Sequence, residues 1–497
     1  MKVQYEYAGI TLRFDLFPAG KDEVQEERLP LLVWLESEDS GNEKQIFDHV
    51  KKICEEKKVH FLYLNYNNCY SFGDRNVCKA IQKYLFQVRT QWKMDVCRTY
   101  IAGFRLGAYG TWQMISAYPR LFAAAFPVHG YGEPYKVRSA KEVPIWAVHF
   151  SQDSQIPALE RILQKEGNIL AGSRLLVQAL WNVGGRPKYT ELPGCVEEAI
   201  SEEILSQAME WMLEQDRRKI FRVERVVSGI WKIDDYFMAS CYLIEGPQKA
   251  LMIDTGMGTG DFTELIKSLT SKPVILAITH PHIDHMFHAH LFSEVFIHKD
   301  AVSCYDEFYE QMKSEDYGRF ENLYGVKAPE RGQEKVFPLE DGQSISLGDG
   351  CQITAAFLPG HTPYDCVFID DFHRCVFTGD AVGSGDTVGV PTSRDTIKEN
   401  IGQYRNSIDR FLTQYEEKIK EYAFLGGHFI QENSCDDTMQ EDWINGQSVM
   451  FRPLSLQVIL DMRKLCDEIL EGKFPVDEKE QDYSWSWGEA RLSGTYK

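Results

Sequence analysis

None of the 12 cysteines stands in a Cys-x-x-Cys pair, which argues against a cysteine-ligated structural zinc. No apolar run approaches the roughly 20 residues needed to cross a bilayer. The first residues, Met1-Lys2-Val3-Gln4-Tyr5-Glu6, lack the charged-then-apolar pattern of a secretory signal. The scattered cysteines therefore read as reduced thiols, and the expected location is cytoplasmic. Basic charge is short: 54 Lys and Arg face 74 Asp and Glu, a formal net charge of -20. That argues against a general nucleic-acid or anionic-membrane binder, because phosphate contacts need clustered cations. Repeats and low-complexity segments are also missing. One absence is local: no histidine occurs between His149 and His280.

What is present is enough for two or three domains, since 497 residues exceed one ordinary domain. In the first 215 residues, strand-like runs such as Leu31 to Leu35, Val59 to Leu64 and Thr99 to Ala102 alternate with helix-like runs. Alternation of this kind suggests an α/β layer with a mainly parallel sheet. The stretch Glu202 to Arg217 reads as an amphipathic helix, and the basic Arg217-Arg218-Lys219 after it marks a boundary. The expected domains are residues 1–218 and 219–497. Beyond the boundary the texture turns β-rich. Val223 to Ile233 reads as one strand, followed by a turn at Asp234-Asp235 and further strands at Ala239 to Ile244 and Ala250 to Asp254. A helix is expected over about Pro453 to Glu471, and Tyr483 to Trp487 alternates like a strand.

Nine of the 13 histidines lie between His280 and His428. The run Thr279-His280-Pro281-His282-Ile283-Asp284-His285 follows an apolar stretch. His361 stands in Pro-Gly-His-Thr, Asp380 in Thr-Gly-Asp and His428 in Gly-Gly-His. Imidazole nitrogens and carboxylate oxygens are the donors zinc accepts, at about 2.0–2.2 Å. The two imidazoles of H-x-H can leave a turn on one side and grip one ion, with His361 completing its set. Asp284 and His285 can turn toward a second ion, with His428. Asp380, with two oxygens, suits a bridge. His288, His290 and His298 have no such assignment and read as packing or surface residues, and His373 as part of a solvated hairpin turn.

These elements, together with Ile253-Asp254-Thr255-Gly256, occur in the order found in the metallo-β-lactamase superfamily, which the chain resembles from about Phe221 onward. The resemblance implies an αββα sandwich. It implies His280, His282 and His361 as ligands of one zinc, Asp284, His285 and His428 as ligands of a second, Asp380 as the bridge and Asp254 as a buttress of the ligand loop. It implies a metal-bridging hydroxide, oriented by Asp284 as the catalytic carboxylate, acting on an ester, thioester or lactone. The glyoxalase II-like branch is the nearest pattern. Two zinc ions are the expected cofactors, with iron or manganese as alternatives. A mononuclear iron sulfur dioxygenase, a metal-dependent phosphodiesterase and a metal-stabilised binding or scaffold protein are the rival readings. Two positions depart from the pattern: Met286-Phe287-His288 stand where relatives carry glycines, and Tyr364 stands where many have Gly.

The first domain resembles an α/β-hydrolase esterase. The likeness rests on Gly103-Phe104-Arg105-Leu106-Gly107 at the nucleophile elbow, Tyr118 to Phe126, and Val143 to Ala147. Three features of the chemistry are missing. Arg105 occupies the serine position, no histidine follows His149 in this domain, and Glu36-Ser37 replace the oxyanion His-Gly. Asp153 matches the acid position, and a base would be sought near Pro193 to Glu197. The expectation is a catalytically inactive fold kept for stability, dimerisation or recognition, with Arg105 either ion-paired to Asp153 or holding an anion. The expected partner is a small-molecule substrate. No nucleic acid or membrane is expected, and there is room for a homo-oligomer through the first domain.

Overall fold

The computed structural model describes residues 1–19, 28–37, 43–66, 72–152, 161–165, 168–194, 200–237, 239–314, 321, 324–383, 393–428, 453–474 and 482–495. They divide into two compact units, one gathering Met1–Arg217 and the other beginning at Arg218.

The first unit is built on eight strands. In spatial order they are Lys2–Tyr7, Ile10–Phe17, His60–Tyr66, Leu31–Ser37, Thr99–Phe104, Ala124–Val128, Trp146–Phe150 and Lys188–Leu192. The first two joins are antiparallel and the remainder parallel. Both faces are covered, so the central strands read as continuous apolar runs. In Leu31–Ser37, Leu31, Val33 and Leu35 enter one core while Leu32 and Trp34 enter the other. Successive side chains of a strand point to opposite faces, which produces this sorting. The helix expected to run to Arg217 stops at Leu213; Ser201 caps its start, accepting from the Ile204 N–H, and a 3-10 turn spans Arg217–Lys219.

The second unit is a four-layered αββα sandwich. One sheet runs Arg222–Val227, Ile230–Asp234, Ser240–Glu245, Ala250–Ile253, Val274–Ala277, Glu294–His298, Lys335–Leu339. The other runs Ser344–Gly348, Cys351–Phe357, Cys366–Asp370, Cys375–Gly379, Ala423–Gly426. Ile244, Leu251, Ile253 and Ile275 of one sheet meet Ile353, Phe368, Phe377 and Leu425 of the other. Each fully buried Ile, Leu or Phe contributes about 1.5–3 kcal/mol relative to exposure. Helix Phe262–Leu269 packs outside the first sheet, and helices Ile397–Ile419 and Gln457–Leu470 outside the second.

The segment Val223 to Ile233 corrects the expectation of one strand. It is two strands folded back at Ser228-Gly229, paired from Arg222↔Asp234 to Val227↔Ile230. Val227 and Ile230 flank the turn, so the run of residues with strand propensity masks the fold-back. The nine described cysteines form no disulfide with one another, and no described helix is long and apolar enough to cross a membrane.

Candidate metal centre

Two parallel strand pairs, one in each sheet, deliver most of the cluster. Ala250–Ile253 lies parallel to Val274–Ala277, so Asp254 and the run from Thr279 leave the same end of that sheet. Cys375–Gly379 lies parallel to Ala423–Gly426, so Asp380 and His428 leave the same end of the other. Carboxyl ends of parallel strands are where open α/β sheets place ligands, because the chain must turn there and its side chains converge. His282 precedes a single helical turn, Ile283–Met286, which swings His285 back toward Asp254.

His361 arrives from the turn between Cys351–Phe357 and Cys366–Asp370. Asp365 shapes that turn: its carboxylate accepts from the N–H of Gly360 at 3.1 Å, the N–H of Thr362 at 2.9 Å and the hydroxyl of Thr362 at 2.5 Å. Burial pushes the Asp365 carboxyl up to about 6. A second buried carboxylate, Asp235, accepts from the N–H groups of Ala239 and Met257 and so ties the neighbouring hairpin to the Gly256 turn. Sequence reasoning missed both anchors. A carboxylate four residues past the His361 turn was the available signal.

The structure brings all seven expected residues together. His280, His282 and His361 form one group, Asp284, His285 and His428 another, and His280, His285 and Asp380 a third that overlaps both. Within each group the donor atoms lie within 4.8 Å of one another. Asp380 Oδ2 is the hub, 3.9 Å from His280 Nε2, 3.6 Å from His285 Nε2, 3.6 Å from His361 Nε2 and 3.3 Å from His428 Nε2. Asp284 Oδ2 lies 3.2 Å from His428 Nε2 and 3.5 Å from His285 Nε2. His282 Nδ1 and His361 Nε2 face each other at 3.0 Å.

The donor set fits divalent cations. His280 Nε2 and His285 Nε2 are buried with no hydrogen-bond partner. Such an orphan costs about 1–3 kcal/mol unless something satisfies it. Their tautomers follow from Asp254. Asp254 Oδ2 accepts from His285 Nδ1 at 2.9 Å and from the Thr279 hydroxyl at 2.8 Å, and Thr279 Oγ1 accepts from His280 Nδ1 at 3.1 Å. Both Nε2 atoms face the cluster, and in this tautomer a neutral ring offers its Nε2 lone pair there.

Electrostatics agree. Burial and the neighbouring imidazoles hold His280 well below the ordinary histidine range, and burial with His361 brings His282 down to about 4. Both are therefore neutral, as metal ligands must be. Burial opposes ionisation of Asp380 and Asp284, yet His428 and His285 keep both carboxyls below their usual range. Burial likewise opposes charge on His285 and His428, but the adjacent carboxylates raise both. The pocket seeks positive charge to offset clustered carboxylates.

An apolar wall adjoins the ligand loop. Met257, Phe287 and Val326 bury together, with Phe237, Ile283 and Tyr324 packed against them. Ile283 lies between His282 and Asp284, and Phe287 is one of the residues standing where relatives carry glycine. Tyr364, the other departure, packs 5.9 Å from the rings of Phe308 and His298. His288 stacks on Phe262, with Nε2 at 2.8 Å from the Gly258 carbonyl oxygen; His290 Nδ1 is 3.2 Å from that of Phe287; His298 accepts from the Asp300 N–H. None joins the cluster. His373 sits in the solvated hairpin turn after Asp370, among exposed Asp371, Phe372 and Arg374, with its own side chain 8% exposed and its Nδ1 2.6 Å from the Asp370 carboxylate.

In the first unit, strand Thr99–Phe104 passes into a helix through a tight turn at Arg105. Arg105 has φ 52 and ψ -109 at the start of helix Leu106–Ala117. A Cβ on Gly107 would come 1.9 Å from the Leu35 carbonyl oxygen, so only glycine allows this helix to sit so close to the sheet. Glu36 is buried and accepts from the Trp34 indole N–H. His129 and His149 stack at 4.6 Å, fully buried, with His149 Nδ1 at 3.2 Å from Ser173 Oγ. Asp153 and residues 195–199 lie outside the described residues.

Residues 234–424 match the metallo-beta-lactamase superfamily. The acyl-coenzyme A thioesterase MBLAC2 of Bos taurus is 26% identical over 232 residues, covering 40% of this chain and 78% of that protein. The hydroxyacylglutathione hydrolase GloC of Haemophilus influenzae is 29% identical over 216 residues, 43% of this chain and 95% of that protein. A thermostable esterase of known structure is 25% identical, with a TM-score of 0.35, covering 44% of this chain and 63% of its own. The C-terminal part of the chain carries a metallo-beta-lactamase domain, and the protein is a hydrolase of that fold.

Proposed function

We propose that the second unit, from Arg218 onward, hydrolyses thioesters or closely related esters with two divalent metal ions, zinc in the first instance. His280, His282 and His361 would hold one ion, Asp284, His285 and His428 the other, and Asp380 both. The observation that carries this reading is the position of Asp380 Oδ2, within 3.9 Å of four imidazole nitrogens drawn from both groups. Divalent ions bound there supply Lewis acidity toward a carbonyl oxygen and bring the pKa of water to about 7. Asp284, kept ionised by His285 and His428, orients the attacking water and accepts its hydrogen bond. Asp254 and Thr279 hold the imidazoles of His285 and His280 in the ligand tautomer. The apolar wall of Phe287, Ile283 and Phe237 excludes water and suits an acyl group.

The thioester reading is supported by relatives of two named activities, an acyl-coenzyme A thioesterase and a hydroxyacylglutathione hydrolase, whose substrates share that bond. The first unit, Met1–Arg217, is read as inert, because Arg105 stands where a serine would attack. Turnover of a panel of one thioester, one lactone and one phosphodiester by zinc-loaded full-length protein tests the proposal. The thioester should be turned over fastest. Phosphodiester turnover without thioester turnover would overthrow the reading.

A further inference from the structure

Strand Lys2–Tyr7 forms one edge of the eight-stranded sheet in the first unit, paired on one side only, with Ile10–Phe17. Its register runs without a break from Lys2↔Asp15 to Tyr7↔Ile10. The Met1 amine donates to the Leu16 carbonyl oxygen and the Leu16 N–H to that of Met1, both at 2.7 Å. Met1 and Leu16 thus exchange both bonds, and in an antiparallel ladder such pairs alternate. Val3, Tyr5 and Tyr7 therefore turn their backbone groups toward the neighbouring strand. The N–H and C=O groups of Lys2, Gln4 and Glu6 point the other way, out of the sheet edge. Among the described residues none of these outward groups has a hydrogen-bond partner.

An open edge is a template for another strand unless something blocks it. Each of the other five edges of the three large sheets carries such a block. Lys188–Leu192 is bounded by Pro187 and Pro193. Arg222–Val227 bulges between Arg225 and Val227, and Ser344–Gly348 between Ser346 and Gly348. Lys335–Leu339 contains Pro338. Ala423–Gly426 is four residues long and is bridged through Phe424 to Leu454. Lys2–Tyr7 has neither proline nor bulge over its six residues.

The exposed face of this strand reads Lys2, Gln4, Glu6, while Val3, Tyr5 and Tyr7 are half-buried against the core. That face is complementary to itself read backwards. Laid antiparallel on a second copy about Gln4, Lys2 stands opposite Glu6, Gln4 opposite Gln4, and Glu6 opposite Lys2. These are the residues whose backbone groups face outward, so this register pairs every outward group of both copies. A slip of two residues leaves some of them unpaired and sets Lys2 or Glu6 against Gln4. A slip of one sets outward groups against inward ones. Opposite charges facing across a ladder stabilise it, and like charges weaken it. A twofold dimer needs a patch that fits itself in this way. We infer that the protein forms such a dimer, in which a second copy of the chain adds its Lys2–Tyr7 strand to this edge and the two sheets become one. The inference is independent of the reaction in the second unit.

Sedimentation velocity of the full chain tests it. Six residues a side make a small interface, so the dimer should dissociate in the micromolar range and dominate at about 100 µM chain. Q4P removes an N–H that faces outward and takes no part in the chain's own ladder, and it denies the partner strand that bond. It should leave the circular dichroism spectrum unchanged and the chain monomeric. K2E sets glutamate against Glu6 at both ends of the pairing, and E6K sets lysine against Lys2. Each alone should weaken the dimer about tenfold or more. Mixed in equal amounts, the two variants face each other with opposite charges at both ends and should associate as tightly as wild type. Monomeric wild type at about 100 µM, a dimer that folded Q4P leaves intact, or a mixture of K2E and E6K no more associated than either alone overturns the inference.

Discussion

Asp254 Oδ2 lies 2.9 Å from His285 Nδ1 and 2.8 Å from Thr279 Oγ1, so one carboxylate oxygen fixes two imidazole tautomers, one directly and one through a hydroxyl. Its other oxygen accepts the Thr279 N–H at 2.8 Å. D254N tests this arrangement with little change in shape, since Asn tolerates the positive φ of 58 found there. An amide keeps the Thr279 N–H bond but turns an N–H toward His285 Nδ1. The imidazole must then carry its proton on Nε2, where the lone pair is needed. Metal affinity should fall about 10- to 100-fold with the far-UV circular dichroism spectrum unchanged. Unaltered affinity, measured by chelator competition, would show that Asp254 does not set the tautomer.

Gly427 meets the cluster at close range. A Cβ there would come 2.6 Å from Asp380 Oδ1 and 2.8 Å from His285 Cε1. G427A should push both ligands aside, costing about 1–3 kcal/mol of stability from overpacking. Metal affinity should drop at least about tenfold, as when supporting contacts of a metal site are lost. Denaturant unfolding and metal competition read the two effects separately.

His288 gives a pH dependence distant from any proposed ligand role. Burial brings it down to about 4, while the unfolded chain titrates it near 6.5. With the folded value depressed, the unfolded state binds the extra proton, so stability is full above about 6.5 and is lost as pH falls toward 4. Between pH 7 and 5 this group should remove about 2 kcal/mol. H288Q should flatten that part of the stability curve by a similar amount relative to wild type. Parallel wild-type and variant curves, from urea unfolding at several pH values, would refute it.

The elbow of the first unit should be silent. Fluorophosphonate probes should leave residues 1–217 unlabelled in wild type and in R105S alike. A serine at that turn would still lack a base: His149 is buried with its Nδ1 beside Ser173 Oγ, and His129 is buried against it. Labelling of the R105S variant at the substituted position would show that the site retains a general base.

All seven cluster residues were legible in the sequence, because His280 to His285 are held close by covalent spacing, Asp380 and His428 end strands that pair in parallel, and His361 stands in a Pro-Gly-His-Thr turn. The layered architecture was legible for the same reason, since apolar runs closed by Gly or Asp mark strand ends. The anchors were not. Asp365 and Asp235 act by accepting backbone N–H groups of turns whose shape the sequence does not print. The fold-back at Ser228-Gly229 was hidden because strand-forming residues flank it without a break. The packing of the Gly360 turn against Tyr404 of helix Ile397–Ile419, where a Cβ on Gly360 would come 2.0 Å from the ring, was not legible either.

Every role proposed for the seven cluster residues depends on metal bound among them. Elemental analysis of metal-replete wild type and D380A, with thioester turnover followed as zinc is returned to chelator-treated protein, tests it most directly. Wild type should hold about two ions per chain, with turnover rising as they are taken up. D380A, lacking the oxygen that reaches both groups, should hold fewer and lose turnover by about 100-fold or more. A stoichiometry near zero in metal-replete wild type, or full turnover in the chelator-treated protein, would contradict it.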